Sequence, residues 1–388
     1  MHYLDNSATT PLCQAAKEAM MAAMESNFGN PSSLHTIGVN AESAVEHARE
    51  QIISAMGFKA RSGQLVFTSG GTEAANLALI GTAIAKSRNK GKKIIIGEAE
   101  HDCVLKSAEL LEELGFKVIR IPSPLGVWDM KAYEKALSKD VILISAMLVN
   151  NETGAVNDIN KIADLARLAS PDVIIHTDAV QGFLKLKAPL SSLDADIITV
   201  SGHKIGASKG VGALYMNDRI VKTKAISPIL LGGGQENGYR SGTENTIGII
   251  GFGAAAEYGA KELCNNLELF SKLRTALGSK LLGIDGVHIN VPATSEIAKH
   301  IINITVSGIK SETLLHHLSS YEVYVSSGSA CSSNRKQQSH VLRSFGLDEK
   351  DLESSIRISL GTQNTIEDID AFISALEDGI SRLARMKR

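Results

Sequence analysis

Two polar residues stand directly behind strand-like apolar runs. Lys204 closes Ser201-Gly202-His203-Lys204 after Ile197-Ile198-Thr199-Val200, and Asp178 lies in His176-Thr177-Asp178-Ala179-Val180-Gln181 after Val173-Ile174-Ile175. Such β-branched runs read as buried parallel strands. The edge where those strands end is where open α/β sheets bind their ligands. An amine and a carboxylate brought together at that edge suit pyridoxal phosphate (PLP), which needs an amine for covalent attachment and an acid opposite its ring nitrogen.

Other residues fit the same edge, each with a plainer explanation. Ser69-Gly70-Gly71-Thr72-Glu73 joins a strand to a helix. Its glycines would expose backbone N–H groups to a phosphate, with Ser201 and His203 adding contacts, or Thr72 would simply cap the helix. Asp178 would hold a pyridine nitrogen protonated, with Gln181 reaching the ring's 3′ oxygen, or it would cap a helix or form a buried ion pair. His101, just past the strand ending at Gly97, would stack on a flat ring or be a surface or core histidine. Asn150-Asn151 forms a polar pair at the same edge or an ordinary turn.

Two residues in the C-terminal third complete the set. Cys331 sits in Ser326-Ser327-Gly328-Ser329-Ala330-Cys331-Ser332-Ser333, a segment of small side chains expected to be mobile. A thiol there is an incidental exposed cysteine or a nucleophile that travels. Arg357, on the short apolar strand Ile356-Arg357-Ile358-Ser359, needs a partner. A substrate carboxylate would be a bidentate one and a structural salt bridge the bland one.

The elements that must position these residues alternate between strand and helix. Strands are predicted at Gln64–Thr68, Lys93–Gly97, Lys117–Pro122, Val141–Val149, Val173–Asp178, Ile197–Ser201 and Gly212–Asn217. Between them lie helical stretches such as Thr72–Arg88, Cys103–Leu114 and Ile159–Ala169. The alternation argues for a seven-stranded, mostly parallel sheet sandwiched by helices. A long helical pattern over Ile247–Leu282 then leads to short strands near Ile301–Val306, Tyr324–Ser327 and Arg357–Leu360, and an amphipathic helix from Ile366 to about Met386. This reads as a large domain over 12–260 and a smaller α+β domain of 1–11 and 261–388, with a site between them.

Composition excludes several classes. At 388 residues, 44% hydrophobic and 21% charged, the chain has the make-up of a soluble globular protein. A formal charge of −2 gives no reason to expect nucleic acid or an anionic membrane as partner. No secretory signal is visible and the apolar runs are too short to span a bilayer. Cys13, Cys103, Cys264 and Cys331 are far apart, without Cys-x-x-Cys spacing for a structural metal. That usage fits a reducing cytoplasm.

Taken in order, these motifs resemble the cysteine desulfurases of the NifS/IscS-like group, class V PLP enzymes of fold type I. The likeness runs from Tyr3-Leu4-Asp5-Asn6-Ser7-Ala8-Thr9-Thr10-Pro11 and Gly29-Asn30-Pro31-Ser32-Ser33 through Ser69–Glu73, Asn150-Asn151-Glu152, His176–Gln181 and Ser201–Lys204. It continues through Gly232-Gly233-Gly234-Gln235-Glu236, Arg240-Ser241-Gly242-Thr243, Ser326–Cys331 and Ile356–Gly361. The resemblance implies that Lys204 carries the cofactor covalently and that Asp178 and Gln181 address the ring. It implies that His101 stacks on the ring and that Gly71, Thr72, Ser201, Gly202 and His203 hold the phosphate. Asn151 and Arg357 would bind cofactor and substrate carboxylate, and Cys331 would become the persulfide. Thr243 would reach the phosphate of a neighbouring subunit, so a homodimer is implied.

The expected activity is removal of sulfur from L-cysteine, giving L-alanine and a persulfide passed to a protein acceptor, a scaffold or sulfur carrier. Selenocysteine lyase or aminotransferase chemistry, or an inactive PLP-fold scaffold protein, are the alternatives. Some positions depart from the group's pattern: Leu148 stands where some relatives have histidine, Ile205–Gly210 lacks a Gly-Pro, and Asn237 replaces a common arginine. The chain ends at Arg388 without the extension that helps some relatives dock a scaffold protein.

Overall fold

Seven strands line up as the apolar runs require: β1 (Gln64–Thr68), β2 (Lys93–Gly97), β3 (Lys117–Ile121), β4 (Val141–Ser145), β5 (Ile174–Asp178), β6 (Ile197–Ser201) and β7 (Gly212–Met216). The structure, a computed structural model, describes residues 1–59, 62–86, 92–294, 296–328 and 338–385, side chains at 384 and 385 excepted. The strand order is β1-β7-β6-β5-β4-β2-β3. β2 to β6 pair in parallel, while β7 runs antiparallel to both β6 and β1. Six strands therefore end at one edge, and β7 returns the chain between two of them.

Side chains alternate across the pleat, so one run of isoleucines feeds two cores. Ile95 of β2 packs with Val45, Ile162 and Ile249 on one face. Ile94 and Ile96 pack with Ala74, Leu77, Val104 and Ile220 on the other. Helices Thr36–Ala55, Ile159–Ala169 and Thr246–Lys261 cover the first face, and the helical run 71–86 with Asp102–Glu113 covers the second. Burying each isoleucine is worth about 1.5–3 kcal/mol, so the sheet is strongly fixed in register.

One polar chain crosses this apolar centre. His176 of β5 bonds to Ser145 Oγ of β4 through Nδ1 at 2.8 Å and to Thr199 Oγ1 of β6 through Nε2 at 2.9 Å. Burial pushes its pKa down to about 3, so the ring is neutral and ties three strands together without charge.

A second layer is built around β8 (Val287–Ile289), β9 (Ile301–Val306) and β10 (Ser355–Ser359), in the order β10-β9-β8 and antiparallel throughout. It packs with helices Leu263–Leu281 and Ile366–Arg385 and with Leu4. His2–Tyr3 pairs in parallel with Val323–Tyr324, which brings the N-terminal segment into this layer.

Several predicted boundaries move. The helical pattern over 247–282 is two helices, Thr246–Lys261 and Leu263–Leu281, which turn at Glu262. The regular strand predicted to Val149 ends at Ser145; beyond Leu148 the chain turns back on itself, with Val149 bridging Val156 and Asn150 N bonding to Ala155 O. The strand predicted over Tyr324–Ser327 is Val323–Tyr324 with one further bridge, Ser326 to Arg357. Helix 71–86 contains a π-helical turn at Leu77–Gly81. Asn237 has φ 55°, a left-handed conformation that Asn tolerates and Arg does not favour. Leu148 packs in the core, 3% exposed, against Gly182.

Candidate active site

Where β1, β2, β4, β5 and β6 end, their following turns converge on one cavity of about 180 Å3. Its lining includes Gly71, Thr72, His101, Asn151, Asp178, Gln181, Ser201, His203, Lys204 and Arg357. Three open grooves elsewhere, of about 460, 460 and 540 Å3, are larger, but none gathers this chemistry. Size therefore does not identify the site; the side chains do.

Lys204 ends a single 3₁₀ turn, Gly202–Lys204, that begins directly at the end of β6. Its Nζ donates to the carbonyl oxygens of Ser7 at 2.5 Å and Ala8 at 2.8 Å. Gly202 itself is buried behind the turn, where a Cβ would meet Val211 at 3.0 Å. His203 shares a hydrogen bond with Thr9 Oγ1 at 3.2 Å, and its carbonyl accepts from Thr10. Burial first, then the charge of Lys204, push His203 down to about 4, so it acts as a neutral hydrogen-bonding group.

Asp178 occupies the last position of β5 and takes a hydrogen bond from Val180 N at 2.9 Å. Burial raises its pKa, against the pull of His101, that backbone N–H and Lys204. A carboxylate in that state gains from a cationic N–H partner in the cavity. Gln181 lines the cavity but its amide is already engaged: Nε2 donates to Ser7 O at 3.0 Å and Oε1 accepts from Lys185 Nζ at 3.3 Å.

His101 caps helix Asp102–Glu113. Its Nδ1 accepts from Cys103 N at 3.2 Å and lies 3.1 Å from Cys103 Sγ. An accepting Nδ1 puts the proton of the neutral ring on Nε2. Burial raises the Cys103 thiol, with His101 pulling the other way, so it stays protonated. Next to it Glu100 is fully enclosed, and burial lifts its carboxyl well above the usual range.

The Asn-Asn pair divides its labour. Asn150 Oδ1 accepts from Glu152 N, Thr153 N and Thr153 Oγ1, so it builds the turn. Asn151 faces the cavity with its Oδ1 buried and unpartnered. Arg357 is 1% exposed; Nη2 donates to Asp5 Oδ1 at 2.6 Å and Nη1 to Asn151 O at 3.0 Å, while Nε has no partner. The structural ion pair is present, and one donor beyond it remains unmatched.

The residues fit PLP on these grounds. At the start of helix 71–86 the first N–H groups lack intrahelical acceptors. Gly71 leaves the space open, since a Cβ there would meet Val180 at 3.1 Å and Ser201 at 3.5 Å. Asn151 Oδ1 and Arg357 Nε are orphaned polar atoms in or beside the cavity.

Thr243 does not reach this cavity; it is exposed in a neighbouring groove with Ser69, Arg240 and Asn245. Cys331 lies outside the described residues. Sequence reading missed the carbonyls of Ser7 and Ala8, the Asp5 partner of Arg357, and Cys103, Glu100 and Lys185. Backbone carbonyls carry no residue signature, but Asp5 and Lys185 are charges beside apolar positions and were visible as such.

A family model of class-V aminotransferases matches residues 2–372. The cysteine desulfurase IscS of Methanosarcina thermophila is 39% identical, over 99% of this chain and 93% of the relative. That of Dictyoglomus turgidum is 40% identical, over 98% and 95%. A solved NifS-like protein superposes with a TM-score of 0.90 at 33% identity, covering 98% of this chain and 99% of that one. A structure titled SspA in complex with cysteine gives 0.80 at 32% identity, covering 93% and 99%.

Proposed function

The chain belongs to the class-V aminotransferase family and is a PLP-dependent cysteine desulfurase; from that premise we propose which residues carry its reaction. It acts on L-cysteine, leaves L-alanine and passes sulfur to an acceptor. When bound, PLP supplies an electrophilic carbon for amines and a ring that takes up charge from the substrate's α carbon. The observation that carries the assignment is the convergence of Lys204, Asp178 and Arg357 on one cavity.

Lys204 anchors the cofactor and, once displaced by the substrate's amine, takes the proton from Cα through Nζ. Ser7 and Ala8 carbonyls hold that nitrogen by neutral contacts, which it can leave at small cost. Asp178 receives the ring N–H, and the Nε2 side of His101 faces the ring. Gly71, Thr72, Ser201 and His203 hold the phosphate, the first two by backbone N–H at the helix start, with Gly202 shaping the turn between Ser201 and His203. Arg357 and Asn151 receive the substrate carboxylate and orient Cα toward Lys204. Cys331 accepts the sulfur: an S–S bond forms as the C–S bond breaks, and the carbon left behind is protonated to alanine.

Thr243 serves the phosphate of a second subunit in a homodimer; its exposure and its place outside the chain's own cavity support that reading. Residues 12–260 act as the cofactor-binding body, with 1–11 and 261–388 as the smaller unit. The recipient of the sulfur is a protein, scaffold or carrier. Cys13, Cys103 and Cys264 are free thiols and no helix among the described residues is long and apolar enough to cross a membrane, which supports a cytoplasmic site of action.

Cys331→Ser tests the sulfur step. The variant should keep the visible absorbance of bound cofactor and release no alanine from cysteine. Wild-type turnover by the serine variant would overturn the persulfide role.

A further inference from the structure

Lys185 is a buried lysine, 7% exposed, in the turn that follows β5. Burial, then Lys204 and Arg357, push its pKa down to about 7, with no carboxylate among the causes. Its ammonium donates to Gln181 Oε1 at 3.3 Å. Lys185 does not line the cavity, whereas Gln181 does. A buried amine costs stability that a methionine of similar length would not. Something other than packing has to explain its place.

The Gln181 amide answers that. Its two ends are distinguishable only by their partners. Nε2 meets the carbonyl of Ser7 at 3.0 Å, a group that can only accept. Oε1 meets Lys185 Nζ, which as an ammonium can only donate. Turned over, the amide would set two oxygens against each other at Ser7 and an NH2 against the ammonium. Both contacts therefore impose one orientation, and it leaves the second Nε2 hydrogen as a donor on a side chain that lines the cavity. The same Ser7 oxygen receives Lys204 Nζ at 2.5 Å. A continuous line of contacts thus runs Lys185, Gln181, Ser7, Lys204.

We propose that Lys185 is a positioning residue: by locking the Gln181 amide it presents an N–H, not a C=O, to the anionic ring oxygen of the cofactor and steadies the Ser7 carbonyl that holds Lys204. This rests on the reading that Gln181 addresses the ring. Without Lys185 only the Ser7 contact would oppose the turned amide, which sets a lone pair against an anion. The loss is about one hydrogen bond, close to a tenfold change in cofactor affinity. A through-space effect of the Lys185 charge is the competing explanation, because Lys204, Arg357 and Arg274 lie in the same positive neighbourhood, with His300 held neutral by burial.

A double-mutant cycle on the purified holoenzyme separates the two. The variants are Lys185→Met, Gln181→Leu and the pair. The readouts are cofactor Kd by equilibrium dialysis, the pH midpoint of the visible band, kcat and KM for L-cysteine, and the thermal midpoint. Lys185→Met should keep or raise the thermal midpoint, weaken cofactor binding about tenfold and move the band's pH midpoint. In the Gln181→Leu background the same change should alter Kd by less than about twofold. Lys185→Arg, which restores a donor, should recover most of the band's midpoint. An equal effect of Lys185→Met in both backgrounds would assign the role to charge and overturn the proposal. So would an unmoved band with wild-type Kd. A wild-type protein that binds no PLP would instead overturn the proposed function from which the inference starts.

Discussion

Lys204 and Arg357 are both cations at one cavity, held in opposite ways. Lys204 rests on the carbonyls of Ser7 and Ala8, at the end of a single 3₁₀ turn. Arg357 sits inside β10, ion-paired to Asp5 at 2.6 Å, with Asn151 O on its other arm. A carbonyl surrenders an ammonium for about 1.5–3 kcal/mol, whereas a buried guanidinium stripped of its carboxylate costs about 3–5 kcal/mol. The group that must change partners is held by dipoles, and the group that must stay is held by charge. The two sheets divide the work accordingly: the parallel one delivers the moving amine, and the antiparallel one the fixed guanidinium.

Breaking each holder separately should expose that contrast. Lys204→Ala has the largest expected effect on activity: cysteine turnover should fall by roughly a thousandfold or more and the covalent visible band should vanish. Its unfolding midpoint without cofactor should change less than that of Asp5→Ala, since the lost hydrogen bonds to Ser7 and Ala8 leave no charge buried without a partner. Asp5→Ala should do the reverse in kind, costing about 3–5 kcal/mol of stability because the Arg357 charge is left buried, as measured by denaturant unfolding. Asp5→Asn, which keeps an acceptor, should cost less. If Asp5→Ala unfolded like wild type, the anchored half of the contrast would be wrong. Arg357→Lys sharpens the comparison further: it keeps the charge but loses the fork, and should raise KM for cysteine about tenfold with a smaller change in kcat.

A further effect comes from pH. His176 and His203 have folded pKa values lowered to about 3 and about 4, below the unfolded value near 6.5. Between those values the unfolded chain binds protons that the folded chain does not, so stability rises with pH across that window. Acidification from 6.5 toward 4 should therefore lower the thermal midpoint, before most carboxylates titrate. His176→Asn should flatten that slope. His203→Asn should flatten it less, because its ring is only partly buried. A slope unchanged in both variants would place the acid sensitivity elsewhere.

How much of this was legible depends on what each contact is made of. The β-branched runs before Asp178 and Lys204 announced the parallel sheet, and the polar residues behind them announced its edge. The break at Glu262 was hidden, because the apolar period runs through it. The holders of Lys204 were hidden for a deeper reason: Ser7 and Ala8 act through main-chain oxygen, which every residue has. Asp5 and Arg357 are each conspicuous alone, but nothing local links positions 352 residues apart. Thr243 shows the limit from the other side: the resemblance marked it, yet within one chain it faces a different groove.

The N-terminal segment that crosses the site also sets a timetable. Leu4 O waits for Ser359 N, Asp5 for Arg357, and Ser7 N for Ser359 Oγ, partners made some 350 residues later. During synthesis the seven-stranded sheet has all its strands once β7 has emerged, and Gln181 can already reach Ser7 O, but Leu4 O, Asp5 and Ser7 N lack these partners until β10 arrives. A nascent chain interrupted before β10 thus carries most of the apolar core and no finished active site. Catalytic competence becomes a report that translation has passed residue 359.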